Sequence, residues 1–582
     1  MKQKIAPLAL AVSLLIQGAH SIANTSEAAD KIFFGKHIHT MDSKQPKAEA
    51  VAIRGETIVF VGSKKEAKKF TGDSTELVEL GDKTLVPGLI DAHGHFSMVA
   101  FMSDFVNASS PPVGKMTSID DIVTELKAEI AKRDLKKGEW LYAYGYDDSL
   151  LKDNRHPTRA DLDKVSTDVA IYMMHVSGHL GAFNTAAMTA SGISKDTQNP
   201  EGGVFRRIGD SSEPNGVVEE AATHPFLMPL LSAKPDPQKF ARQAVQAQTV
   251  FTQYGVTTIQ DGAAMMAALK GYRQLGQAGL LGVDIGGYPV AINSNHSHAG
   301  HDSKPEKSSV HEYIEAYEKQ YASNVRIAGV KFVLDGSPQG RTAWTTKPYK
   351  QGPEGAGDDY VAYPSTNVSA YKEAAKELLL AGVPILVHCN GDKAIDTMLD
   401  SVEEAFAGKE IPDHRSVIIH AQLMRPDQID RAKKLKVIPS FYSAHPFFWG
   451  DWHRLSFGDE RALHISPAGT ALKKDVLFTI HNDSPIVPPD MMRLLWVAVN
   501  RETRSGFTLG KEERISPMEG LKAMTINAAY QYFEEDKKGS LTAGKQADLV
   551  ILDQDPVKVD PKTIKDIKVL ETIAHGKTVF KR

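Results

Sequence analysis

Short apolar runs recur along this chain, and most of them stop at a residue able to hold a metal ion. The run Leu85-Val-Pro-Gly-Leu-Ile-Asp-Ala-His-Gly-His95 ends in two histidines. In an extended strand, residues i and i+2 project from one face, so the rings of His93 and His95 aim at a common point. Imidazole is a common ligand of divalent transition metals, although a lone His-x-His is a weak signal. Its weight comes from repetition. Ile327-Ala-Gly-Val-Lys-Phe-Val-Leu334 carries Lys331 inside an apolar segment and meets Asp335-Gly336. Gly382-Val-Pro-Ile-Leu-Val-His388 and Ser416-Val-Ile-Ile-His420 each end in histidine, and Val476-Leu-Phe-Thr-Ile-His-Asn-Asp483 ends in a carboxylate before Pro485.

Each run has the length of a buried parallel strand and is bounded by turn residues. Helical patterns fill the intervals, over 369–381, 401–408 and 425–434. Alternating strands and helices argue for βαβ units. In a (β/α)8 TIM barrel the chemistry sits at the C-terminal ends of the strands, where these candidate ligands fall. An open doubly wound sheet offers one edge crevice, too narrow a place to gather ligands from so many strands. The pattern therefore predicts an α/β chain with a barrel over 85–533. A stretch of about 100–250 follows the first strand and is too long for an ordinary loop, so it predicts an insertion. It holds a helical pattern over 118–132, an aromatic run over 140–146, and the segment 202–220. Long insertions at the top of a barrel make lids and substrate walls. Short strands are predicted at both ends of the chain, over 31–37 and 49–62 and over 548–553 and 569–580.

Composition narrows the field. With 582 residues there is room for a barrel and a second domain, and 42% hydrophobic with 24% charged residues is ordinarily globular. A formal net charge of −4 gives no reason to expect nucleic acid or an anionic membrane as partner. The start differs from the rest: Met1-Lys-Gln-Lys4 is basic, 5–16 is largely apolar, and Ser21-Ile-Ala23 supplies small residues. That three-part pattern predicts a signal peptide over 1–23, hence a periplasmic or secreted protein with no membrane anchor after cleavage. The single cysteine, Cys389, forms no internal disulfide. Beside His388 on a strand it points to the opposite face, as a small hydrophobe.

The chain resembles the amidohydrolase superfamily, and within it the YtcJ-like branch that includes N-substituted formamide deformylases. The resemblance runs from about Asp30 to the C-terminus. It is carried by Val86-Pro-Gly-Leu-Ile-Asp-Ala-His-Gly-His95, Lys331 with Asp335-Gly-Ser337, His388-Cys-Asn-Gly-Asp392, His420-Ala-Gln422, Asn482-Asp-Ser-Pro485 and Gly539-Ser-Leu-Thr-Ala-Gly-Lys-Gln-Ala-Asp-Leu-Val550. The first and last together are highly specific; the middle ones count by their order. Cys389 and His481-Asn482 depart from the usual motifs.

The resemblance implies that the two ends of the chain, 24–84 and 534–582, pair into a small β-sandwich beside the barrel. It implies two divalent metals, zinc first with iron, manganese or nickel as alternatives. His93 and His95 would bind one, His388 and His420 the other, and Asp483 would hold the first and face the bridging water. Lys331 would be carbamylated, turning a cation into an anionic bridge; the bland alternative is a salt bridge to Asp335 or Asp261. Asp483 would act as general base and then general acid in hydrolysis of a C–N bond, most simply an amide of a small molecule. Other enzymes of the superfamily are the alternatives: a deaminase, a cyclic amidase or a dipeptidase. From another class, a non-catalytic regulatory protein could use the same scaffold, as one relative in this branch is an exoenzyme regulator.

Smaller expectations attach to single residues. His179 contacts substrate or a transition-state oxyanion, or is a loop histidine satisfied by backbone. Glu219 reaches the pocket mouth or is a solvated helix residue. Arg341 binds a carboxylate or pairs with a nearby acid. The tract His296-Ser-His298…His301 reads as a loop rather than a metal site. The aromatic residues of 441–449 line an apolar pocket or cover the rim. A homo-oligomer is compatible with all of this.

Overall fold

The computed structural model describes residues 28–148, 150–176, 178, 180–200, 203–231, 236–291, 307–353 and 356–582. The signal-peptide segment, His179 and the 296–301 histidines lie outside the described residues. Two parallel sheets form the centre. One runs β4-β3-β2-β1, where β1 is Leu89–Ile90, β2 Val256–Ala264, β3 Asp284–Pro289 and β4 Val325–Ile327. The other runs in order through β5 (Val330–Val333), β6 (Ile385–Cys389), β7 (Val417–His420), β8 (Ile438–Phe441) and β9 (Thr479–Ile480). Backbone hydrogen bonds join them at both seams. On one side the Ala291 amide donates to Lys331 O at 2.8 Å, beside a parallel bridge between Val290 and Lys331. On the other, the amide of His95 donates to Ser484 O at 2.8 Å and that of Asp483 to His93 O at 3.2 Å.

Helices fill the connections, among them Val368–Leu380, Asp392–Ala405 and Pro426–Leu435. Their apolar stripes face the sheets, as at Ile395, Met398, Leu399 and Val402. The expected helix over 401–408 is the end of a longer one that begins at Asp392. Its first turns carry Asp392 and Asp396, and charge there hid the apolar stripe beneath. The side chains of β6 alternate as a strand requires. Ile385, Val387 and Cys389 pack on the helix side, while Leu386 joins Ile90, Ile419 and Tyr532 inside. Cys389 thus turns away from His388.

The two ends of the chain meet in one eight-stranded sheet. Thr84–Pro87 pairs antiparallel with Leu549–Leu552 and leads straight into β1. Gly88 sits at that junction because a Cβ there would lie 2.2 Å from Thr257 Oγ1. The sheet buries both faces, Phe33, Val51 and Ile551 on one and Ile32, Phe34 and Ala50 on the other. The stretch after β1 folds around a six-stranded sheet with its own core of Ile122, Leu126, Leu141 and Tyr146. Its helix Ile119–Arg133 is started by a capping box of Ser118 and Asp121. Among the described residues no helix is long and apolar enough to cross a membrane.

A buried ion cluster ties the terminal sheet to the parallel strands. Asp284 opens β3, is 2% exposed, and pairs with the equally enclosed Lys538. His575 Nε2 reaches Asp284 Oδ1 at 3.1 Å, and Glu534 Oε2 lies 3.3 Å from Lys538 Nζ. Burial opposes both charges, but Lys538 and His575 hold Asp284 well below the usual carboxylate range. Replacing Lys538 with Met strands that carboxylate, so Lys538→Met is expected to lose about 3–5 kcal/mol in denaturant unfolding. Because the Asp284 pKa is depressed, its contribution is present above the ordinary value of ~3.9 and fades as pH falls toward the folded one.

Candidate metal centre

The strand ends bring the predicted ligands to one place. His95 Nε2 stands 3.0 Å and His93 Nε2 3.5 Å from Asp483 Oδ1, and the three ligand atoms lie within 4.8 Å of one another. Lys331, pointing inward from β5 and 2% exposed, places Nζ 3.2 Å from His93 Nε2. The His388 and His420 rings, ending β6 and β7, are 4.5 Å apart, and His420 is 5.3 Å from His93. Residues scattered from 93 to 483 thus share one pocket.

Neighbouring groups aim these side chains. Gln260 on β2 donates through Nε2 to Ala92 O at 2.9 Å and Tyr532 Oη at 2.8 Å. Its Oε1 therefore faces His93 Nδ1, 2.6 Å away, and accepts its proton. That leaves the His93 Nε2 lone pair toward Asp483 and Lys331, the arrangement a metal-binding imidazole needs. Gly262 leaves room for this ring; a Cβ there would lie 2.5 Å from His93 Cε1. Asp335, fully buried, accepts the backbone N–H groups of Asn390, Gly391 and Trp344 at 2.9, 2.7 and 3.0 Å. It also meets His388 Nδ1 at 3.2 Å. His420 Nδ1 is 3.1 Å from His481 Nε2, whose Nδ1 is 2.8 Å from Ser440 Oγ.

Burial sets the charges. It pushes His93 and His420 well below the ordinary imidazole value, with Lys331 adding to the effect on His93 and His388 to that on His420. His481 falls to about 3 for the same reason. Burial lowers Lys331 to about 8, against the pull of Asp483. Burial works against ionised Asp483, yet the hydrogen bond and charge of His95 keep it below the usual carboxylate range. Burial raises Asp91 to about 7, with Asp483 adding repulsion. Neutral imidazoles at His93 and His420, an anionic carboxylate at Asp483 and an amine at Lys331 whose charged form burial disfavours make a donor set for a divalent transition metal.

The salt bridge considered for Lys331 is absent. Asp335 is committed to backbone amides, and Asp261 binds Ser97 through its amide at 3.2 Å and its hydroxyl. Glu219 lies on the strand Pro214–Glu220, not on a helix, and its Oε1 takes a 2.6 Å bond from Arg206. Arg341 stacks on Trp452 at 4.4 Å and donates to Gly352 O at 2.7 Å; among the described residues no acid pairs with it. Of the aromatic group, Tyr442 flanks the pocket, 5.6 Å from His420 and 5.2 Å from His481. Sequence reasoning missed Gln260 and the orienting work of Asp335, and singled out Tyr442 only as one of an aromatic group. Gln260 had the same signal as the ligands, a polar residue near the end of an apolar run. Gln260→Leu is expected to keep the fold and weaken metal affinity ~10–100-fold. Competitive metal titration checks this, and an unchanged affinity would remove Gln260 from the pocket's machinery.

The chain is 26% identical over 562 residues to the N-substituted formamide deformylase of Arthrobacter pascens, covering 96% of this chain and 99% of that one. It is 24% identical over 567 residues to the putative amidohydrolase YtcJ of Bacillus subtilis, covering 95% and 99%. Its fold is similar to that of an uncharacterized metal-dependent hydrolase from Pyrococcus furiosus, with TM-score 0.69 and 24% identity over 91% of this chain and 100% of the other. A model of the amidohydrolase family matches residues 76–580. The chain belongs to the amidohydrolase family, hydrolases of carbon–nitrogen bonds.

Proposed function

We propose that this protein is an exported, metal-dependent hydrolase of a small N-substituted amide. The convergence of His93, His95 and Asp483 with Lys331 against His93 carries the reading. On this reading β4 and β5, two residues apart with no helix between them, are one strand, and the two parallel sheets form one (β/α)8 barrel, supported by hydrogen bonds across both seams. The stretch of about 100–250 is its insertion, and 24–84 with 534–582 its flanking β-sandwich. Export rests on the basic start, apolar run and small residues of 1–23. The amide class is supported by the likeness to the formamide deformylase.

His93, His95 and Asp483 would hold one divalent ion and His388 and His420 a second, zinc by the donor set, with Lys331 shared as a carbamate. A lysine buried enough to fall to about 8 offers the neutral amine that adds CO2 with loss of a proton. When bound, such ions lower the pKa of water from ~15.7 toward ~7 and polarise a carbonyl. Asp483, held ionised beside His95, takes the proton of the attacking water and returns it to the departing nitrogen. Gln260 and Asp335 keep the rings of His93 and His388 turned to the pocket throughout.

Purified mature protein should carry close to two metals per chain, and chelation should abolish turnover in a panel of formamides, N-acyl amino acids, dipeptides and cyclic amides. Protein that binds no transition metal after repletion would point instead to a regulatory or binding role. Lys331→Ala is expected to lose one metal, with partial rescue by small carboxylates; normal metal content and turnover would refute the carbamate. Asp483→Asn should cut turnover by at least ~10² with the fold intact. If it turns over at the wild-type rate, proton transfer belongs to another group.

A further inference from the structure

Of the polar atoms beside the pocket that are sealed from solvent without a hydrogen-bond partner among the described residues, Tyr442 Oη and Asn390 Oδ1 belong to the two largest side chains, Ser443 Oγ and Ser484 Oγ being the others. Tyr442 and Asn390 are 2% and 3% exposed. They occupy equivalent places, Asn390 just after β6 and Tyr442 just after β8, on either side of β7 and its terminal His420. Tyr442 lies against His420 and His481 and within electrostatic reach of Asp483. Asn390 Nδ2 is 3.3 Å from His388 Nε2 and donates to Gly336 O at 2.9 Å. That bond fixes the amide's orientation and leaves the oxygen as the unused end. A buried polar atom left without a partner is unfavourable, so such atoms mark where a ligand supplies one. One is a hydroxyl able to donate, the other a carbonyl able only to accept.

A scissile amide that keeps its N–H is the complement, with an oxygen that accepts and a nitrogen that donates. We propose that Tyr442 Oη donates to the carbonyl oxygen of the substrate and Asn390 Oδ1 accepts from its N–H. The substrate class is then primary and secondary amides, with tertiary amides and esters rejected. The inference rests on the hydrolase reading and narrows it. Tyr442 would strengthen its bond as charge grows on the oxygen during attack, a catalytic contribution. Asn390 would act in specificity, because a site built to pair an N–H penalises a substrate that lacks one.

The test uses the metal-loaded full-length mature protein and the best-hydrolysed secondary amide of the panel above, with its N-methyl counterpart. Wild type is expected to turn over the N-methyl compound at least ~10²-fold less efficiently in kcat/KM, and Asn390→Leu to narrow the gap to within ~5-fold by slowing the N–H substrate. Tyr442→Phe should lower kcat ~10²-fold with little change in KM. Both variants should keep wild-type metal content and melting temperature. Tyr442→Phe should also bind the phosphonamidate analogue of that amide at least ~10-fold more weakly. Equal turnover of the N-methyl amide by wild type, or an unaltered Tyr442→Phe, overturns the inference while the hydrolase reading stands. Lost metal in Tyr442→Phe would assign that hydroxyl to holding the ions and overturn it too. Failure of wild type to hydrolyse any amide would bring down both.

Discussion

One electrostatic constraint dominates this structure: a lysine, four histidines and a carboxylate are packed into one largely buried pocket. Charged imidazoles or a charged amine crowded at such distances would repel one another in low dielectric. Burial together with their mutual proximity pushes His93, His420 and His481 below the ordinary imidazole value, and burial brings Lys331 down to about 8. Neutral bases with lone pairs turned inward are also what a metal ion requires. The same physics that would make the pocket an expensive fault in an ordinary core makes it a site here.

Holding the lone pairs inward falls to partners one layer out. Gln260, Asp335 and the His481–Ser440 pair each occupy the outer nitrogen of a pocket histidine, and each comes from a different strand or its end. Parallel strands suit this work because their C-terminal ends lie at one level, so a ligand on one strand is braced from the next. The sheet of the two chain ends and the Lys538–Asp284 cluster sit elsewhere and stiffen the frame. Specificity can then reside in the separate sheet inserted after β1 and in residues such as Tyr442 and Asn390, without disturbing the ligands.

That His93, His95, His388, His420 and Asp483 come together was anticipated because each stands at or just beyond the end of an apolar run, while Lys331 stood out as a cation inside one. The alternation of strands with helices over the second half of the chain was readable for the same reason. Other features were hidden for physical reasons. The helix starting at Asp392 was cut short because Asp392 and Asp396 interrupt its apolar stripe, yet both are drawn in by Arg425 from the next helix. Glu219 was read as reaching the pocket mouth or as a solvated helix residue, whereas its strand pairs with Leu180 and Val204, contacts that no local pattern announces. Arg341 looked like an anion binder from its charge alone, while its stacking on Trp452 depends on a residue over a hundred positions away. Gln260 and Asp335 matter only through the histidines they touch, and those partnerships exist only in the folded chain.

The measurement closest to the central claim is a crystal structure of the metal-loaded protein with anomalous scattering from the ions. Two anomalous peaks are predicted, one against His93, His95 and Asp483 and one against His388 and His420, with continuous density extending from Lys331 Nζ between them. Ions bound elsewhere, or a bare Lys331 amine paired with a carboxylate, would contradict the account.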